Sequence, residues 1–75
     1  RFHVVNLHQL EHFPSNTEVT PELLVQSGMI RDGKKHVKIL GRGEIDRPLN
    51  VHAHGFSGSA KNKIENAGGT VTEIT

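Results

Sequence analysis

The apolar positions fall in short runs broken by glycine, proline and polar clusters, and each run has a readable period. FHVV (Phe2–Val5) predicts a strand. Asn6 follows as a helix cap, and Gln9 stands at the third helical position, the spacing of a capping box. Leu7, Leu10 and Phe13 then point inward along a helix of about two turns, which Pro14 stops. VTPELL is the clearest helix start. Thr20 caps it, Pro21 takes the first position, Glu22 complements the dipole, and Gly28 supplies a left-handed end. RDGKK (Arg31–Lys35) predicts a turn, HVKILG (His36–Gly41) a strand, and GRGEID (Gly41–Asp46) a tight glycine turn. PLNVHAHGF alternates Leu49, Val51 and Ala53 against Asn50, His52 and His54, so the two histidines share the exposed face of one strand. Ser57 or Ser59 caps a helix with Ala60, Ile64 and Ala67 inward. Gly68-Gly69 ends it, and TVTEI (Thr70–Ile74) alternates again. The closing strand–helix–strand order favours parallel pairing with a right-handed crossover. The expectation is a small single α/β domain over residues 1–75. It has a short, mostly parallel sheet, two to three helices and irregular strand–strand–helix turns.

With 75 residues and 33% hydrophobic content, the core is small and leaves little room for an enclosed substrate cavity. The chain has no cysteine, so thiolate chemistry and disulfides drop out. No apolar run approaches the ~20 residues that cross a bilayer, so no membrane partner is expected. The opening residue is Arg1 rather than Met, as in a domain cut from a longer protein. The net charge of +1 hides an uneven distribution. Residues 31–64 carry eight Lys or Arg against Asp32, Glu44 and Asp46, while both flanking segments are acidic. A one-sided basic region on a small domain points to a polyanion partner.

Three chemistries compete for the polar residues. His8 with His12, at helical spacing, and His52 with His54, at strand spacing, could reach a metal's ligand count only if the pairs met; no metal is expected. GFSGS (Gly55–Ser59) nearly spells a nucleophile elbow, but its last position is Ser59, and so short a chain lacks the sheet an elbow needs. The third is an anion site. Lys61 and Lys63 stand where a helix's own dipole disfavours cations. Gly55 and Gly58 permit close backbone approach, Ser57 and Ser59 add hydroxyls, and His52 and His54 extend the site along the strand as donors. Together they form a phosphate pocket, with simple capping by the serines as the alternative.

The run VVNL…L (Val4–Leu10), VTPELL…G (Val19–Gly28), VKILGRGE (Val37–Glu44) and LNVHAHGFSGSAKNKIENAGG (Leu49–Gly69) resembles the C-terminal domain of the large ribosomal subunit protein fifteen family. The resemblance covers nearly the whole chain. It implies a domain that binds large-subunit ribosomal RNA and supports subunit assembly, in a family whose members add a basic, glycine-rich N-terminal extension. An RNA-facing role for His54, Ser57, Ser59 and Lys61 is implied by it, while His52 and Gly55 stand where the family often has lysine.

The combined expectation is a non-enzymatic structural constituent of the large subunit, without cofactor or small-molecule substrate. Lys34, Lys35, Lys38 and Arg42 contact phosphates from the turn–strand–turn region. Arg47 and Lys61 flank the helix-start pocket, and Ser57 and Ser59 donate to one phosphate. These contacts position rather than read bases. Partners are large-subunit RNA and neighbouring ribosomal proteins; the isolated chain is a monomer. The setting is a cytoplasmic ribosome, with an organellar one left open. The competing expectation is a protein-binding module that uses the acidic first half, Glu11, Glu18 and Glu22.

Overall fold

Parallel strands need long crossovers, and this chain fills each crossover with a strand of a second sheet. In the computed structural model, which describes all residues Arg1–Thr75, six strands alternate between two sheets. β1 (Phe2–Asn6), β3 (His36–Leu40) and β5 (Gly55–Phe56) form one in the order β1-β3-β5. β2 (Glu18–Val19), β4 (Asn50–Ala53) and β6 (Thr70–Glu73) form the other, in the order β2-β4-β6. All pairings are parallel. Two helices, α1 (Pro21–Gln26) and α2 (Gly58–Asn66), complete the α/β fold. The expected fold class holds, but the single sheet is two.

The strand periodicity places the core. Val5, Val37, Ile39, Val51 and Ala53 are fully buried, and with Leu7, Leu10, Val19, Leu24, Leu49, Ala60 and Ile64 they make up most of one apolar cluster containing no buried polar side chain. The expected two-turn first helix is a single 3₁₀ turn, Leu7–Leu10. The expected capping box forms, with the Asn6 N–H donating to Gln9 Oε1 at 2.8 Å. Leu7, Leu10 and Phe13 still point inward, because burial of the side chains decides their direction whichever helical form the backbone takes. Thr20 caps α1, its Oγ1 accepting from the Leu23 N–H at 3.1 Å, and Gly28 follows with φ +77°.

The expected strand PLNVHAHGF divides. β4 ends at Ala53, and β5 begins at Gly55 in the other sheet. His54 alone bridges them. Its N–H donates to the Val37 carbonyl and its Nδ1 accepts from the Val37 N–H, both at 2.9 Å. The expectation of two histidines side by side on one exposed strand face fails here, because the chain bends at His54 and its ring turns onto β3.

The GRGEID turn is held from both sides. The Lys63 ammonium on α2 donates to the carbonyls of Gly41 (3.0 Å) and Gly43 (2.8 Å) and pairs with Glu44 at 3.1 Å. The His8 N–H donates to the intervening Arg42 carbonyl. Gly43 lies at φ +97°, where a Cβ would sit 2.7 Å from that of His8.

On the outer face of the second sheet, Thr70 donates to Asn50, Asn50 donates to Glu18 (3.0 Å), and Glu18 meets His52 Nε2 at 2.7 Å. The His52 bond, aided by Asn50, holds the Glu18 carboxyl below its usual 4.5. A depressed carboxyl stabilises the fold above its unfolded value, and that contribution is lost as the pH falls through the folded value. Glu18→Gln is therefore less stable than the parent above pH 4.5. The gap closes on acidification in urea unfolding followed across that range; a gap independent of pH contradicts the assignment. Gly43→Ala costs at least about 1–2 kcal/mol in the same assay, from the left-handed backbone and the His8 contact.

Candidate nucleic-acid interface

The start of α2 is built against the end of β3. The Ser57 N–H donates to the Ile39 carbonyl at 2.9 Å, which sets the entry of the helix. Ser57 Oγ then accepts from the Ala60 N–H at 3.1 Å, so this serine is the cap. Ser59 is exposed and packs over Gly41, where an added Cβ would lie 2.8 Å from the Ser59 Cβ. The glycine thus lets the GRGEID turn approach the first turn of α2. The N–H groups of Gly58 and Ser59 have no acceptor within the helix.

The two lysines of α2 divide their duties. Lys63 is consumed by the turn carbonyls and Glu44, so its position near a helix start is explained from within the fold. Lys61 is exposed and makes no ion pair. It faces a groove of about 380 Å³ that it shares with Phe2, Lys38, Gly55, Phe56, Val71 and Glu73. Lys38 lies opposite Gly55 in the β3–β5 register, and the absent side chain keeps the groove floor open.

Lys34 and Lys35 are exposed in the turn before β3, and Arg42 is exposed in the turn after it. With Lys38 on the strand they form a basic line along β3 and its flanks. None of the four makes an ion pair. Asp32 lies in the same turn, its carboxyl held low chiefly by the Lys34 backbone N–H, at 2.9 Å, with help from His3.

Two expected contacts are placed otherwise. Arg47 does not flank the start of α2: its guanidinium donates to the Phe13 carbonyl (3.2 Å) and to Asp46 (2.9 Å), in a hollow that also holds Glu11 and Glu44. Asp46 is held low by that bond. His54 does not extend the pocket at Lys61: its Nδ1 accepts from β3, its ring stacks on His36 at 4.2 Å and 7°, and it lines a separate groove with Pro21, Glu22 and Ile74. His52 is likewise engaged with Glu18. The three glutamates of the first half stand apart: Glu11 beside Arg47, Glu18 against His52, and Glu22 by the groove that includes His54 and Ile74.

Phe2 is the site residue the periodicity did not single out. FHVV has apolar residues on both parities, so the strand alone does not say which face is buried; pairing with β3 puts Phe2 beside His36 and leaves it 49% exposed. Phe56 is half-buried on the groove wall.

The family model that describes ribosomal proteins 50S-L15 and 50S-L18e, together with a 60S counterpart, matches residues 4–72. Proteins named large ribosomal subunit protein uL15 from two strains of Dehalococcoides mccartyi are each 55% identical over 74 residues, covering 99% of this chain and 48% of theirs. The same protein from a third strain is 56% identical over 71 residues, covering 95% of this chain and 46% of its own. The chain spans about half the length of these curated relatives, and it matches their C-terminal half. A family match over nearly every residue that builds both sheets and α2 places this chain in the ribosomal protein family of 50S-L15 and 50S-L18e.

Proposed function

We propose that residues 1–75 act as one RNA-binding domain, a structural and non-enzymatic part of the large ribosomal subunit that holds large-subunit ribosomal RNA by its phosphates and supports subunit assembly. Within the ribosome, cytoplasmic in this reading, neighbouring ribosomal proteins are its further partners. The observation that carries the reading is the division of the cations. Arg47 and Lys63 are paired with acids and backbone carbonyls of the chain itself. Lys34, Lys35, Lys38, Arg42 and Lys61 make no ion pair within the chain. Free cations along β3 and at the start of α2 suit a ribose-phosphate backbone, and such contacts fix register without reading sequence. Ser59, Ser57's remaining hydroxyl proton and the free N–H groups of Gly58 and Ser59 add neutral donors beside Lys61.

Fluorescence anisotropy of large-subunit RNA fragments against salt tests the reading. Each phosphate contact contributes a slope of about 0.7–0.9 in log affinity against log salt. Arg42→Glu with Lys61→Glu weakens binding and flattens the slope by at least about two contacts' worth. Lys63→Met lowers unfolding stability by about 1–2 kcal/mol through the lost carbonyl bonds and leaves the slope unchanged. Equal binding by the parent and the Arg42/Lys61 variant, or affinity indifferent to salt, overturns the proposal.

A further inference from the structure

The two sheets finish their outer faces differently. On β2-β4-β6 the outward polar side chains bond one another, from Thr70 through Asn50 and Glu18 to His52. On β1-β3-β5 the register brings Phe2 beside His36, Val4 beside Lys38, and Lys38 beside Gly55. Parallel sheets are normally covered on both faces. Here the inner face is buried through Val5, Val37 and Ile39, while Phe2 and Val4 stay 49% and 51% exposed on the outer one.

That open face is a row of π systems edged by cations. The Phe2 and His36 rings lie 6.3 Å apart at 50°, and His36 stacks on His54. Lys38 Nζ stands 5.7 Å from the centre of the Phe2 ring. Lys61 and Phe56 rise from the other side of the groove, where Glu73 is the one acid. A second copy of this chain laid on the face offers one acid, Glu73, against the two cations Lys38 and Lys61, and a bare β-strand laid on the apolar residues offers none. A nucleotide answers both demands, since its base has an apolar π face and its phosphate is an anion.

We propose that this face stacks one unpaired base of single-stranded RNA on Phe2, with the adjoining phosphates held by Lys38 and Lys61. The proposal rests on the RNA-binding reading above and adds to it: a purely phosphate-holding domain has no use for Phe2. A continuous duplex keeps its base faces covered by neighbouring bases, so the occupant is a loop, bulge or free strand.

A short single-stranded RNA carrying 2-aminopurine tests this with the 75-residue chain. Binding quenches the fluorophore, and the Phe2 ring proton resonances shift upfield. Phe2→Leu loses the quenching and about tenfold in affinity at an unchanged salt slope, while Phe2→Tyr keeps both. If Phe2→Leu binds and quenches like the parent, and the parent's Phe2 resonances stay put, the stacking proposal falls and phosphate binding stands. If the parent binds neither this RNA nor large-subunit fragments, both readings fall. Phe2 resonances that broaden with protein concentration in the absence of RNA assign the face to a second copy and overturn the proposal.

Discussion

The architecture turns on the pair of hydrogen bonds between His54 and Val37. β4 and β5 belong to different sheets, yet a single residue separates them. A chain that switches sheets in one step exposes backbone groups at the switch, and buried backbone groups need partners. His54 meets the need twice, donating its own N–H to the Val37 carbonyl and accepting the Val37 N–H on its ring. With β4 thus tied to β3, the chain continues into Gly55–Phe56 beside Lys38, and Ser57 starts α2 against Ile39. The groove that holds Lys38, Lys61 and Phe2 follows from that one attachment.

Around this joint, charge is divided by purpose. Lys63 ties α2 to the GRGEID turn, and Arg47 ties the segment after it to Phe13. Such bonds to carbonyls, made by half-buried side chains, hold loops that have no sheet or helix of their own. The remaining lysines and Arg42 contribute nothing comparable to the fold. Carrying them unpaired is a small electrostatic cost for an isolated chain and an advantage for one that meets a polyanion. The outer faces of the sheets show the same division, one closed by its own hydrogen bonds and the other left aromatic and open.

Local features were legible in the sequence. Thr20 with Pro21 marked α1, Ser57 or Ser59 marked the start of α2, and alternation through Leu49, Val51 and Ala53 marked the buried face, because each depends only on neighbours along the chain. What escaped was set by pairing at a distance. Alternation gives His52 and His54 the same parity only while one strand continues, and it says nothing about a bend that sends the next strand to another sheet. Lys61 and Lys63 look alike in sequence, but the turn lying across α2 separates a free cation from a structural one. Arg47 belonged to the same basic region as Lys61, yet Phe13 and Asp46 claim it. Phe2 became visible as a surface residue only once β1 was in register with β3.

The most direct measurement is NMR of the His54 ring together with hydrogen exchange at Val37. The structure requires an unprotonated Nδ1, a proton on Nε2, and a Val37 amide protected like those inside the β1–β3 ladder. A proton on Nδ1, with Val37 exchanging as fast as the exposed turn at Gly33–Lys35, would contradict the sheet switch and the groove built upon it.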